Sequence, residues 1–120
     1  MTEGKFPVKT EKPWGYELLF AWTEKYAGKV IFVKQGHRLS LQYHRFKDEA
    51  MLIQYGKVLI EIEDTNGNKK SLSAGPGQCI HIPPLTRHRL QALENTTLIE
   101  VSTPELDDVV RLADDYGRSS

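Results

Sequence analysis

The sequence predicts an all-β fold, a small sandwich or barrel of antiparallel strands closed by one C-terminal helix. Apolar residues recur mostly at every second position, in short runs. Gly, Pro and Asn separate these runs at close spacing, and no helical run lies between them, which argues against a parallel α/β sheet. The 120 residues are enough for one core and too few for a second full domain, so residues 1–120 read as a single domain.

In chain order, the charged first dozen residues read as a loose N-terminal arm over 1–12. Strands are expected over 16–21, 29–34, 38–44, 51–55, 58–63, 70–73, 79–83, 87–93 and 98–102. The clearest alternation is Val58, Ile60 and Ile62 against Leu59, Glu61 and Glu63, one greasy face and one largely polar face. Asn66-Gly67 then marks a type I′ hairpin turn, because both residues tolerate positive φ. The helix is expected over 103–117. Thr103 would cap it with Pro104 at its first position, acidic residues Glu105, Asp107 and Asp108 would complement the dipole, and Leu106, Val109, Val110 and Ala113 would form its apolar stripe. Gly117 would stop it.

Composition narrows the function classes. Hydrophobic residues at 39% and charged residues at 27% suit a globular protein and are too apolar for a disordered one. Sixteen basic residues balance sixteen acidic ones, so no global field draws nucleic acid or an anionic membrane, and neither partner is expected. Cys79 is the only cysteine, which excludes an intrachain disulfide and a thiolate metal cluster and fits a reducing compartment. The opening MTEGKFPVKTEK lacks the apolar run of a signal peptide, and no stretch approaches a membrane span. A cytoplasmic location is expected.

Four residues carry the chemistry. Gln42 and His44 lie two apart on an expected strand, so their side chains leave the same face. Glu49 follows after a connection of four residues, short enough to return a carboxylate to that face, and His88 lies far along the chain, as a ligand from a neighbouring strand would. Imidazole, carboxylate and amide oxygen suit one divalent ion, with Zn heading the candidates and Mn, Fe, Co or Ni also compatible. Taken singly, each histidine is more often a hydrogen-bonded core or surface residue; it is the surrounding punctuation that joins them.

Gly36, Gln42, His44, Glu49 and Gly56, with intervals of five, one, four and six residues, reproduce the first signature of the cupin superfamily with Gln in place of its first His. Gly77, Pro83 and His88, with intervals of five and four, reproduce the second. The chain further resembles the cupin domain of mannose-6-phosphate isomerases, particularly the C-terminal domain of the type II enzymes. The matching stretches are Lys12-Pro-Trp-Gly-Tyr-Glu17, Leu39-Ser-Leu-Gln-Tyr-His44, Ile99-Glu-Val101, Asp108-Val-Val-Arg111 and Asp115-Tyr-Gly-Arg118. This resemblance implies a double-stranded β-helix, or jelly-roll barrel, with metal held by Gln42, His44, Glu49 and His88. It also implies aldose-ketose isomerisation of a phosphorylated sugar. The pattern departs at Ala50 for a usual His, at Leu85 for a usual Gly and at Ala92 for a usual Asn. The Gly-rich nucleotide-binding head of the bifunctional enzymes has no counterpart in the sequence, so guanylyltransferase activity is not expected.

Catalytic candidates follow, each beside a plainer reading. Lys47 stands where such isomerases carry a basic residue and could hold the sugar or its phosphate; otherwise it is a solvated turn lysine. Arg111 and Arg118 could clamp phosphate through guanidinium forks, or pair with Asp107, Asp108, Asp114 and Asp115. His81, two before Pro83, could line the pocket and shuttle a proton, or simply pack. A metal-bound water is a further candidate base. His37 is expected to be exposed. Trp14 and Tyr16 either wall the site or anchor the first strand. Leu39, Leu41 and Tyr43 face away from the ligand side and call for cover, which a homodimer would supply. Rival functions are a metal-dependent dioxygenase, which Gln42 opposes by filling a position the facial triad leaves open, and a sugar-binding or scaffolding cupin.

Overall fold

In the computed structural model, which describes residues 5–64 and 66–118, eleven strands form two antiparallel sheets. They are β1 (Val8–Lys12), β2 (Gly15–Trp22), β3 (Ala27–Val33), β4 (Leu41–Tyr43), β5 (Glu49–Tyr55), β6 (Val58–Glu63), β7 (Lys69–Ala74), β8 (Cys79–Ile82), β9 (His88–Ala92), β10 (Thr96–Ser102) and β11 (Val110–Ala113). One sheet runs β1-β2-β3-β10-β5-β8 and the other β11-β4-β9-β6-β7. Neighbours such as β3 and β10, or β4 and β9, are distant in sequence, so the chain crosses repeatedly between sheets, as a jelly roll does. The all-β double-sheet expectation holds.

The period-two pattern sets the core. Val58 and Ile60 are fully buried while Glu61 between Ile60 and Ile62 is exposed. From the facing sheet, Val33, Ile53, Ile82 and Leu98 are at most 1% exposed, and each such side chain contributes about 1.5–3 kcal/mol by leaving water. Trp14, 2% exposed, joins this cluster as the anchor of the first strands. The glycines of the two signatures, Gly36, Gly56 and Gly77, all have positive φ. At Gly56, between β5 and β6, a Cβ would also collide with the Asn95 carbonyl and Thr96.

Four expectations need correction. The C-terminal helix is absent: among the described residues there is no helix, and none therefore long and apolar enough to cross a membrane. After tight turns in which Leu106 N bonds Pro104 O and Asp108 N bonds Glu105 O, β11 pairs with β4 through Val110–Tyr43 and Arg111–Gln42. The capping residues start a turn, but β-branched Val109 and Val110 and the open edge of β4 favour a strand, so tertiary pairing overrides the local helix signals. Secondly, the expected arm is strand from Val8, paired with β2 from Val8–Leu19 to Lys12–Gly15; its residues 1–4 lie outside the described residues. Thirdly, Asn66-Gly67 is no two-residue turn. Gly67 alone of the pair has positive φ, and Asp64 closes a longer loop by accepting the amides of Asn66 and Asn68 on its side chain and that of Gly67 on its carbonyl. The strand expected over 38–44 shrinks to β4, with Arg38 keeping an isolated bridge to Gln91.

Candidate metal centre

Glu49 opens β5, His88 opens β9 and Ser102 closes β10, so these residues meet at one end of the space between the sheets. Directly opposed residues of an antiparallel pair share a face. One row therefore reads Arg111, Gln42, His88 and Ile62 across β11-β4-β9-β6. Ile62 packs against the core, which fixes that row as inward-facing. On the other sheet, Ala27, Ser102, Glu49 and Ile82 form a row, and Ile82 is fully buried.

His44, Glu49 and His88 are at most 4% exposed, and one ligand atom from each lies within 4.8 Å of the others. Glu49 Oε1 stands 3.3 Å from His44 Nε2 and 3.4 Å from His88 Nε2. Both rings are held from behind by carbonyls, His44 Nδ1 by Asp108 O at 2.6 Å and His88 Nδ1 by Thr86 O at 2.9 Å. A carbonyl only accepts, so each Nδ1 carries a proton, and it is the Nε2 atom of each ring that is turned toward the carboxylate, as a lone pair wherever the ring is neutral. Acceptor then faces acceptor. Among the described residues His44 Nε2 finds no hydrogen-bond partner. A cation between the three atoms satisfies all of them, and carbonyls behind ligating imidazoles are the usual outer support of such ions. Gln42 lines a cavity of about 30 Å³ together with Glu49, His88 and Glu100, room for about one ion or water. Its Oε1 accepts from Ser40 Oγ at 2.8 Å. The residues present fit a divalent ion.

The catalytic candidates are placed less uniformly. Lys47 is buried, with Nζ 3.0 Å from Glu49 Oε2 and 3.2 Å from Glu100 Oε2. Burial opposes its charge, but Glu100 and Glu49 outweigh burial and raise its pKa. Burial likewise opposes ionised Glu49, yet its surroundings, the Lys47 ammonium among them, hold its carboxyl below the usual range. Burial and then the Glu49 charge push Glu100 up to about 7. Arg111 is half-buried in the inward row beside Gln42. Arg118 forks onto Asp114 at 3.0 and 2.9 Å. His81 is not brought in: its side chain is 64% exposed and bonds Asp48 Oδ1 at 2.7 Å. His37, expected exposed, is half-buried against Tyr116, with its Nδ1 2.8 Å from the Tyr116 hydroxyl.

Two site residues escaped the sequence reading. Glu100 falls in phase with inward Leu98 and Ser102, and a charged residue at an inward strand position was the available signal. Asp108, assigned to a helix start, instead accepts the amides of Arg45, Phe46 and Lys47 on its carboxylate while its carbonyl holds His44.

Comparison with known proteins agrees with this geometry. The family described as mannose-6-phosphate isomerase C-terminal matches residues 2–114. The mannose-1-phosphate guanylyltransferase ManC of Salmonella typhimurium is 40% identical over 116 residues, covering 89% of this chain and 22% of that protein. The xanthan biosynthesis protein XanB of Xanthomonas campestris is 32% identical over 123 residues, covering 98% and 25%. The chain thus spans about a quarter of the length of these curated relatives. Among solved structures, Bacillus subtilis oxalate decarboxylase, a protein with Mn(II) centres, superposes with a TM-score of 0.77 at 19% identity over 88% of this chain and 30% of that one. CapF superposes at 0.72 and 19% over 88% and 34%. At these identities the structures attest the fold alone.

Proposed function

This chain belongs to the mannose-6-phosphate isomerase C-terminal family of cupins, and from that premise we propose that it is a metal-dependent aldose-ketose isomerase of phosphorylated sugars. The observation that carries the reading is the buried acceptor cluster, in which Glu49 Oε1 faces the Nε2 atoms of His44 and His88. His44, Glu49, His88 and Gln42 would hold the ion, Zn or another of the compatible divalent metals. Once bound, it would supply Lewis-acid polarisation of a sugar carbonyl and the adjacent hydroxyl. Asp108 and Thr86 hold the two rings in one tautomer and orientation. Lys47 neutralises the Glu49 oxygen turned away from the histidines. Arg111, facing the same way as Gln42, offers a planar guanidinium to the phosphate. His81, exposed and bonded to Asp48, shares an open groove with Glu49 and is not needed to hold the ion.

The decisive experiment is elemental analysis of purified protein, followed by a screen of hexose and pentose phosphates for exchange of the C2 proton with deuterated solvent. Mannose 6-phosphate and fructose 6-phosphate come first. Metal-loaded protein that exchanges none of them removes the isomerase reading. One observation favours a second reading: the cavity beside Gln42, Glu49 and His88 has room for little more than an ion. A cupin that binds or scaffolds around a silent metal needs no more space than that, and it would keep its metal while failing the exchange assay.

A homodimer in a cytoplasmic setting completes the proposal. The patch expected to need cover is partly covered within the chain, since Leu39 packs on the core and Leu41 and Tyr43 are half-buried beside β11. The outer face of the six-stranded sheet is the better surface. Leu18, Val30, Ile99 and Leu52 form one uncharged row across β2-β3-β10-β5, with Leu52 38% and neighbouring Val101 55% exposed. An uncharged apolar face is complementary to its own copy across a two-fold axis.

A further inference from the structure

We propose that Glu100 is a positioning residue of the metal centre, which acts through Lys47 to present only one oxygen of Glu49 to the ion. The role, which rests on the metal-centre reading above, follows from the unequal surroundings of the two Glu49 oxygens. Oε1 faces both imidazoles, at 3.3 and 3.4 Å. Oε2 faces Lys47 Nζ at 3.0 Å. The same Nζ lies 3.2 Å from Glu100 Oε2, so one ammonium bridges two carboxylates whose side chains are 3% and 8% exposed.

The strands explain the arrangement. Glu49 pairs with Ser102 and Met51 pairs with Glu100 across β5 and β10, which makes Glu49 and Glu100 diagonal neighbours on one inner face. Two buried carboxyl groups at that spacing, close enough to hydrogen-bond one another, cannot both stay charged unless a cation lies between them. Lys47, on the connection that precedes β5, supplies it. A lysine stem has four rotatable bonds, and a contact with Glu49 alone would leave the ammonium free to turn with the carboxylate. Glu100, fixed on a central strand, ties the ammonium to the sheet instead. With Oε2 so engaged, Glu49 can give the ion a single bond through Oε1. Gln42, His44, Glu49 and His88 would then hold the ion through one atom each, and an ion that accepts six ligands would keep room for oxygens of a substrate.

Mere charge balance would give a different pattern under mutation. The test uses the full chain and Co²⁺ alone as probe, reading affinity by chelator competition and geometry by the visible spectrum of the bound ion. Glu100→Leu removes charge and contact together and should weaken Co²⁺ binding by about 10- to 100-fold, the usual range for an outer support of a metal ligand, with a changed spectrum. Glu100→Gln loses the charge but keeps an oxygen for Lys47, and should stay within about threefold of the parent with its spectrum unchanged. Placed on Lys47→Met, Glu100→Leu should weaken binding no further. Lys47→Met alone frees Oε2 and should change the spectrum.

Glu100→Gln falling as far as Glu100→Leu would show that charge, not position, is at work, and overturns the proposal. Equal losses from Glu100→Leu in the parent and Lys47→Met backgrounds overturn it too. Should Glu100→Leu fail to fold, an unchanged spectrum in Lys47→Met refutes the proposal by itself. A parent protein that takes up no Co²⁺ is a distinct result: it removes the metal-centre reading and this role with it.

Discussion

Leu85 should prefer to be glycine, and the preference can be measured. The residue has φ of 63° and is the single non-glycine residue with positive φ among the described residues. It stands where the second cupin signature usually has Gly. Its amide is bonded to His44 O at 2.6 Å, so the turn that carries the strain also sits against the metal centre. Left-handed backbone costs an L-residue about 1–2 kcal/mol relative to the right-handed form. Glycine avoids that cost but loses about 0.5–1 kcal/mol more chain entropy than alanine on folding. The difference leaves Leu85→Gly about 0.5–1 kcal/mol more stable than Leu85→Ala, the reverse of the usual order at right-handed positions. Comparison with Ala rather than Leu cancels the packing loss, which is small because the side chain is 69% exposed. Urea denaturation of the two variants reads the difference, and a thermal melt should show a gap of a few degrees. Metal uptake should be the same in both, since the backbone hydrogen bonds are kept. Leu85→Ala equal to or more stable than Leu85→Gly would refute the reasoning.

Four further outcomes are expected. His44→Ala and His88→Ala should each lose most bound metal in elemental analysis, and full occupancy in both would show the ligand set to be wrong. Arg111→Gln should raise KM for phosphorylated sugars at least tenfold, about 1.4 kcal/mol, while changing kcat less, as expected of a group that binds ground and transition states alike; an unchanged KM excludes the phosphate role. Asp114 is held down to about 2 from 3.8, chiefly by its bond with Arg118. Its depressed pKa means that its stabilisation is present above about pH 4 and lost as pH falls through about 2, so Asp114→Asn should cost about 1 kcal/mol at neutral pH after solvent screening and progressively less as the pH falls through about 2; a cost independent of pH contradicts the ion pair. Light scattering at micromolar concentration should give a dimer mass that Leu52→Asp reduces to a monomer, whereas a monomeric parent would end the dimer proposal.

The barrel was legible because strand alternation is set by burial, and burial leaves its mark at every second residue. Val58–Glu63 reads identically in sequence and structure for that reason. The cluster of His44, Glu49 and His88 was legible through the glycines around it, since Gly36, Gly56 and Gly77 have positive φ and fix turns that side chains strain. The tail was not legible. Thr103 and Pro104 carry real helix-start chemistry, but whether a helix follows depends on the open edge of β4, more than sixty residues upstream, and on Asp108 being drawn to the amides of Arg45, Phe46 and Lys47. The same distance hid the function of Lys47. From sequence it is a turn lysine two residues before a ligand, equally ready to face solvent or substrate. Glu49 and Glu100, set on one inner face by the pairing of β5 with β10, together meet its ammonium inside the barrel. A basic residue near a ligand thus has its role assigned by the carboxylate it meets across the sheet. That is why replacing Glu100, which no spacing rule singles out, should disturb the centre although it lies outside both signatures.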